Sequence, residues 1–139
     1  MNKTVFTKIG LIIGIFVVLA SGAEAQTAYR ADIPFDFNIG DRAYKSGIYL
    51  LSKLSAVSDS KVMVLRDRHG RRSRAMVPTN NHSEAGSATL TFRRYADRYF
   101  LSDVKAWQVG VEFSISKMEE MLAKETQAER QTIALSMAK

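Results

Sequence analysis

Five arginines crowd one short stretch of this chain: Arg66, Arg68, Arg71, Arg72 and Arg74, with His69 among them and Asp67 as the opposing acid. A guanidinium is a planar fork that donates two parallel hydrogen bonds, which suits phosphate. The group is therefore a candidate anion-binding site for lipid phosphate or another polyanion. It also suits a solvated hairpin end. Two charges about 6 Å apart in water repel by only about 0.7 kcal/mol, and by less in salt. No aromatic is interleaved here, which argues against nucleic acid. A second basic group, Arg93, Arg94, Tyr95, Arg98 and Tyr99, does carry aromatics. Across a hairpin, Arg94 would pair with Tyr99 and Tyr95 with Arg98. These four make either a carbohydrate or anion platform or a local set of Arg–Tyr stacks.

Other chemistries lack their residues. The two histidines, His69 and His82, lie thirteen positions apart, and the chain has no cysteine. No zinc spacing results. Asp32, Asp36 and Asp41 are candidates for acid–base work or calcium. Pro34 and the two-residue period around them point instead to a solvated strand edge. No nucleophile elbow, phosphate loop or dinucleotide glycine pattern is present. We therefore assign no catalytic, metal-binding or cofactor-binding residue and expect a non-catalytic protein. A hydrolase whose residues meet only in three dimensions is the alternative.

The first 25 residues read as an export signal. Lys3 and Lys8 precede an apolar run from Ile9 to Ala20, and Ala23-Glu24-Ala25 supplies small residues before a cut between Ala25 and Gln26. A charged start, a short apolar middle and an A-x-A end form a specific combination. Twelve apolar residues fall short of the roughly 20 that a spanning helix needs. The expectation is a cleaved leader and a single exported domain, 26–139, periplasmic or extracellular, with no membrane span. Loss of two lysines and one glutamate with the leader takes the formal charge from +6 to +5. Such a balance favours anionic envelope components as partners. Without disulfides the domain must stand on its apolar core.

The elements that would position these residues are mostly strands. Residues 29–39 alternate through Ile33, Phe35, Phe37 and Ile39, with Pro34 marking an edge or a bend. Further strands are expected at 48–54, 61–67 (central, apolar on both faces), 72–77, 88–95, 98–105 and 107–115. A two-residue turn at His69-Gly70 would set Met63 opposite Met76 and Asp67 opposite Arg72. Residues 79–87 should form an exposed loop. In the last of the strands Trp107, Val109, Val111, Phe113 and Ile115 share one face, and the change of parity near Lys105-Ala106 implies a bulge or turn. Ser116 and Glu119 fit a capping box for a helix over 117–128, whose narrow stripe at Met118, Met121, Leu122 and Glu125 should pack on the sheet edge or barrel end. Residues 132–137 read as a last strand or as continued helix. The sum is a mainly β fold: an antiparallel β-sandwich or small closed barrel of about eight strands with one short C-terminal helix.

Three pieces in this order carry a resemblance: IPFDFNIG at 33–40 with SGIYLL at 46–51, LTFRRYADRYFL at 90–101, and GVEFSISKMEEMLAKE at 110–125. The chain resembles a family of small exported β-rich proteins of environmental bacteria that have no assigned activity. The resemblance implies an exported β domain and adds no catalytic residue. That family has Gly where this chain has Ala96. Either the hairpin accepts a strained alanine, at about 1 kcal/mol, or its loop is wider than two residues.

The function this supports is an exported, non-catalytic β domain, binding or structural, at the cell envelope or outside. Polyanion or lipid-phosphate binding through the hairpin 66–74 is the alternative.

Overall fold

Pro34 has no N–H to give to a ladder, and there the first alternating run breaks. The computed structural model describes residues 28–54, 61–71, 73–81 and 88–138. The leader and its Ala25/Gln26 cut, Arg72, and His82 lie outside the described residues. The expected single strand over 29–39 is two: β1 (Tyr29–Ile33) and β2 (Phe37–Ile39). Between them the chain changes sheets. β1 pairs with β4 (Gly47–Lys53), whereas β2 pairs with β3 (Arg42–Tyr44) and, in parallel, with β9 (Arg98–Ala106).

Two sheets result. One runs β12 (Ser136–Met137), β1, β4, β5 (Met63–Asp67), β6 (Ser73–Met76). The other runs β11 (Glu129–Ala134), β8 (Thr89–Tyr95), β9, β10 (Val109–Glu112), β7 (Asn80–Asn81), with β2 and β3 added on β9. This is a β-sandwich and not a closed barrel. The described residues form twelve strands rather than about eight, because two runs that read as continuous are divided at sheet crossings and β3 and β7 form in segments that read as connections. The final run is strand, beginning earlier than expected. It pairs first with β8 and then, after Leu135, with β1, so one segment edges both sheets. Of the 79–87 segment expected as a loop, Asn80–Asn81 form β7, which pairs with β10, and 82–87 lie outside the described residues.

The alternating residues meet between the sheets. Ile33, Phe37, Leu51, Leu65, Leu90, Phe92, Leu101 and Val104 are all buried there. Each such side chain contributes about 1.5–3 kcal/mol relative to exposure. β5 is central and buries Met63, Val64 and Leu65. Met63 stands opposite Met76. The turn beyond them falls one residue earlier than expected. The Gly70 N–H donates to the Asp67 carbonyl at 2.9 Å, so Arg68 and His69 occupy its centre.

The parity change has two sources. Thr91 faces Asp103 while Phe92 faces Leu101, so Ser102 is an extra residue, a β-bulge. Its hydroxyl donates to the Thr91 carbonyl at 3.0 Å, which lets buried Ser102 sit without a polar cost. Trp107 then lies in a turn and not in the strand. Ala106 pairs with Val109, and Trp107 and Gln108 have φ of 49° and 63°. Positive φ at both central residues is the primed turn that matches strand twist. The strand ends at Glu112, which leaves Ile115 51% exposed.

Candidate functional site: an arginine-bearing sheet face and its cleft

A strand sends neighbouring side chains to opposite faces, and that period divides the arginine cluster. Leu65 points into the core, so Arg66 points outward. Arg74 is paired with Leu65 and shares its inward side, where it is half-buried. Arg66, Arg68 and Arg71 are exposed. The four described arginines, Arg66, Arg68, Arg71 and Arg74, therefore do not all lie on one face.

The fold instead recruits arginines from elsewhere. Arg66 pairs with Leu50, and Leu50 pairs with Arg30 of β1. Arg30, Leu50 and Arg66 form a row across three strands on the outward side. At about 4.8 Å per strand, the two arginine backbones stand about 10 Å apart. Leu50 between them is 36% exposed. Arg68 continues the row of outward positions, its N–H held by the Ile48 carbonyl at 3.0 Å. Asp32, paired with Ile48, is the acid on this side of β1.

Arg71 follows in the turn and is exposed. With Ser73 it lines an open cleft of about 650 Å³ together with Asp41, Arg42, Ala43 and Tyr44. The Arg71 N–H donates to Asp67 Oδ1 at 2.8 Å, which fixes the backbone of the turn. Arg30 and Arg42 were not singled out by sequence. Arg30's place in the alternating first run marked it as outward, but the register that sets it beside Arg66 has no local signal.

The aromatic–basic group is divided in the same manner. Arg94 pairs with Tyr99, and Tyr95 with Arg98, in the expected register. The Arg94 guanidinium lies 5.6 Å from the Tyr99 ring centre. Phe35 stacks on Tyr99 at 3.7 Å and 9°. Arg94 Nε also donates to the Ala96 carbonyl at 2.6 Å, and its guanidinium meets Glu129 at 3.8 Å. Tyr95 is 2% exposed. It lies on the other side of β8 with Phe100, their rings 5.9 Å apart. Arg98 reaches Met118 Sδ at 3.6 Å. Arg98, Tyr99, Met118, Asp36, Lys45 and Asp97 are among the residues of a second cleft of about 370 Å³. These residues pack the hairpin against its neighbours and leave no shared flat platform of the four.

Ala96 resolves the hairpin question. The loop has two residues, and Ala96 takes φ 54°. The hairpin accepts the strain.

The helix α1 (Lys117–Glu125) ends three residues before the expected 128, and the capping box of Ser116 and Glu119 is present. Its stripe does not pack as expected. Met118 and Met121 are 39% and 69% exposed, while Glu119 is buried at 2%. Arg93 explains this. Its Nε donates to Glu119 Oε1 at 2.7 Å, and its Nη2 donates to Glu119 Oε2 and to the Phe113 carbonyl, both at 3.2 Å. Burial works against the Arg93 charge, yet the Glu119 bond and charge outweigh it and raise its pKa. A glutamate read as a cap is thus also the anchor of the helix.

Among the acids, Asp36 accepts from the Ser46 N–H at 2.8 Å and from Lys45 Nζ at 3.1 Å. These hold its carboxyl below the usual value of 3.8, the Ser46 bond most strongly. Asp32 is on the outward side of β1 and Asp41 in the large cleft. Among the described residues no three His, Cys, Asp or Glu side chains group as for a metal ion. His69 is exposed in its turn. Among the described residues no helix is long and apolar enough to cross a membrane. Comparison with protein-family models, curated proteins and solved structures finds no match.

Proposed function

We propose that this is an exported, non-catalytic β-sandwich that rests an arginine-bearing sheet face on phosphate-bearing envelope lipid. The carrying observation is the row Arg30–Leu50–Arg66, with Arg68 beyond it. A sheet face presents charge over a plane, and a plane is what a bilayer surface offers. Leu50 between two arginines gives that face an apolar contact of the kind found at lipid interfaces. The leader pattern at 1–25 and the resemblance to small exported β-rich proteins support delivery to the envelope. The thirteen positions of sequence between His69 and His82 and the lack of a nucleophile motif support a binding role over catalysis.

Vesicle co-sedimentation tests the reading. The protein should bind phosphatidylglycerol vesicles and not phosphatidylcholine vesicles, with binding that falls as salt rises. Each arginine near an anionic membrane is worth about 1 kcal/mol, so Arg30→Ser with Arg66→Ser should weaken binding about 30-fold. Binding unchanged by that pair, or no preference for the anionic lipid, rejects the reading. Export is tested separately by the mass of the chain recovered outside the cytoplasm, which should begin at Gln26.

A further inference from the structure

The cleft beside the arginine turn is built from both sheets. Arg42 belongs to β3, which joins the second sheet through β2 and β9. Arg71 and Ser73 belong to the turn and first residue that follow β5 in the other sheet. Twenty-nine positions of chain separate Arg42 from Arg71, yet both line one cavity of about 650 Å³. Their backbones are held. Arg42 is paired with Ile39, and Arg71 is fixed by Asp67, next to Gly70 at φ 66°. Both side chains are exposed, and among the described residues neither has an ion-pair partner.

We propose that this cleft is a binding site for a single phosphate group. This rests on the reading of the protein as a binder of phosphate-bearing lipid, and it places one phosphate at a defined point. Two guanidinium forks from different elements can each donate a pair of hydrogen bonds to phosphate oxygens. Ser73, opposite Arg66 in the ladder, is at the edge of the lining. Asp41 is the opposing charge. Among the described residues it reduces the lining from two positive charges to one, which suits a single phosphodiester better than a chain of phosphates. The volume lies within the range of small-ligand sites, wide enough for a phosphorylated headgroup as well as free phosphate.

Titration of the purified protein with inorganic phosphate, followed by amide NMR, tests the site. Signals of Arg42, Arg71 and Ser73 should shift and saturate. Arg42→Ser and Arg71→Ser should each weaken binding at least tenfold, Arg42→Lys by less, and Asp41→Asn should tighten it several-fold. These side chains are exposed, so the variants should keep the parent fold and circular dichroism spectrum. Phosphatidylglycerol vesicles form the second arm. Loss of vesicle binding in Arg42→Ser identifies the phosphate as a lipid headgroup, and unchanged vesicle binding identifies a free phosphorylated compound. If phosphate shifts are absent, or survive Arg42→Ser, while vesicle binding still depends on Arg30 and Arg66, the cleft is overturned and the envelope reading stands. If vesicles are not bound but the phosphate shifts follow Arg42 and Arg71, the envelope reading fails and the cleft remains.

Discussion

Arg93 and Glu119 form a bridge of 2.7 Å beneath the helix, with side chains 18% and 2% exposed. A helix of nine residues is marginal alone, and its methionines face outward. Glu119 therefore does two things: its carboxylate accepts from the Ser116 N–H at 3.1 Å, which closes the capping box, and it ties the helix to β8. Removing one member of a buried pair leaves the other charge without compensation. We expect Glu119→Ala to destabilise the domain by about 3–5 kcal/mol in urea unfolding. Arg93→Met with Glu119→Leu should recover much of that loss, because the desolvated charges leave together. If Glu119→Ala unfolds at the parent midpoint, the bridge does not anchor the helix.

Three non-glycine residues of positive φ sit in the two turns that flank β9: Ala96, Trp107 and Gln108. Ala96→Gly should remove the steric cost and stabilise the domain by up to about 1 kcal/mol, less the entropy that glycine adds to the unfolded chain. Gln108→Gly should act likewise. Trp107→Gly should not, because the Trp107 ring packs 4.9 Å from Tyr29 and beneath Lys53 at 5.6 Å. A turn strained at Trp107 is thus held by contact with the opposite sheet. Thermal unfolding of the three variants checks this, and equal gains in all three would deny the Trp107 contact any role.

What sequence made legible follows from what is local. The period at 29–39, the Met63–Met76 register, the Arg94–Tyr99 pairing and the Ser116–Glu119 box are each set within a few residues or one turn, and each is present. The sheet change at Pro34 was visible only as a bend, because the destination of β2 on β9 is a long-range pairing. The bulge at Ser102 and the turn at Trp107-Gln108 each reverse parity, so the inward face runs from odd Leu101 to even Val104 and back to odd Val109, and only the second reversal lies beside Lys105-Ala106. Trp107 read as strand because its odd position matched Val109 and Val111. The site suffered most. Adjacent arginines suggested one cluster, but the two-residue period divides Arg66 from Arg74. Arg30 and Arg42 join through pairings that no neighbouring residue encodes.

Acid and alkali should act on different residues. The Asp36 carboxyl binds its proton less readily in the fold than at its ordinary 3.8, mainly through the Ser46 N–H and then Lys45. Its contribution to stability is present above 3.8 and is lost as pH falls through the lower folded value. Asp36 is solvent-exposed, so salt should weaken the Lys45 part of the shift. Carboxyl NMR should find Asp36 titrating below ordinary aspartates, and Lys45→Met should raise that midpoint only in part, leaving the Ser46 bond. Tyr95 behaves oppositely. Burial first, and then the Glu119 charge, raise its phenol above 10.0. That contribution is intact below 10.0 and is lost as pH rises through the higher folded value. Tyr95→Phe should remove a phenolate absorbance step that the parent shows above 10.0. If Tyr95→Phe removes no such step while the fold is intact, Tyr95 is not sealed beneath the helix beside Arg93 and Glu119.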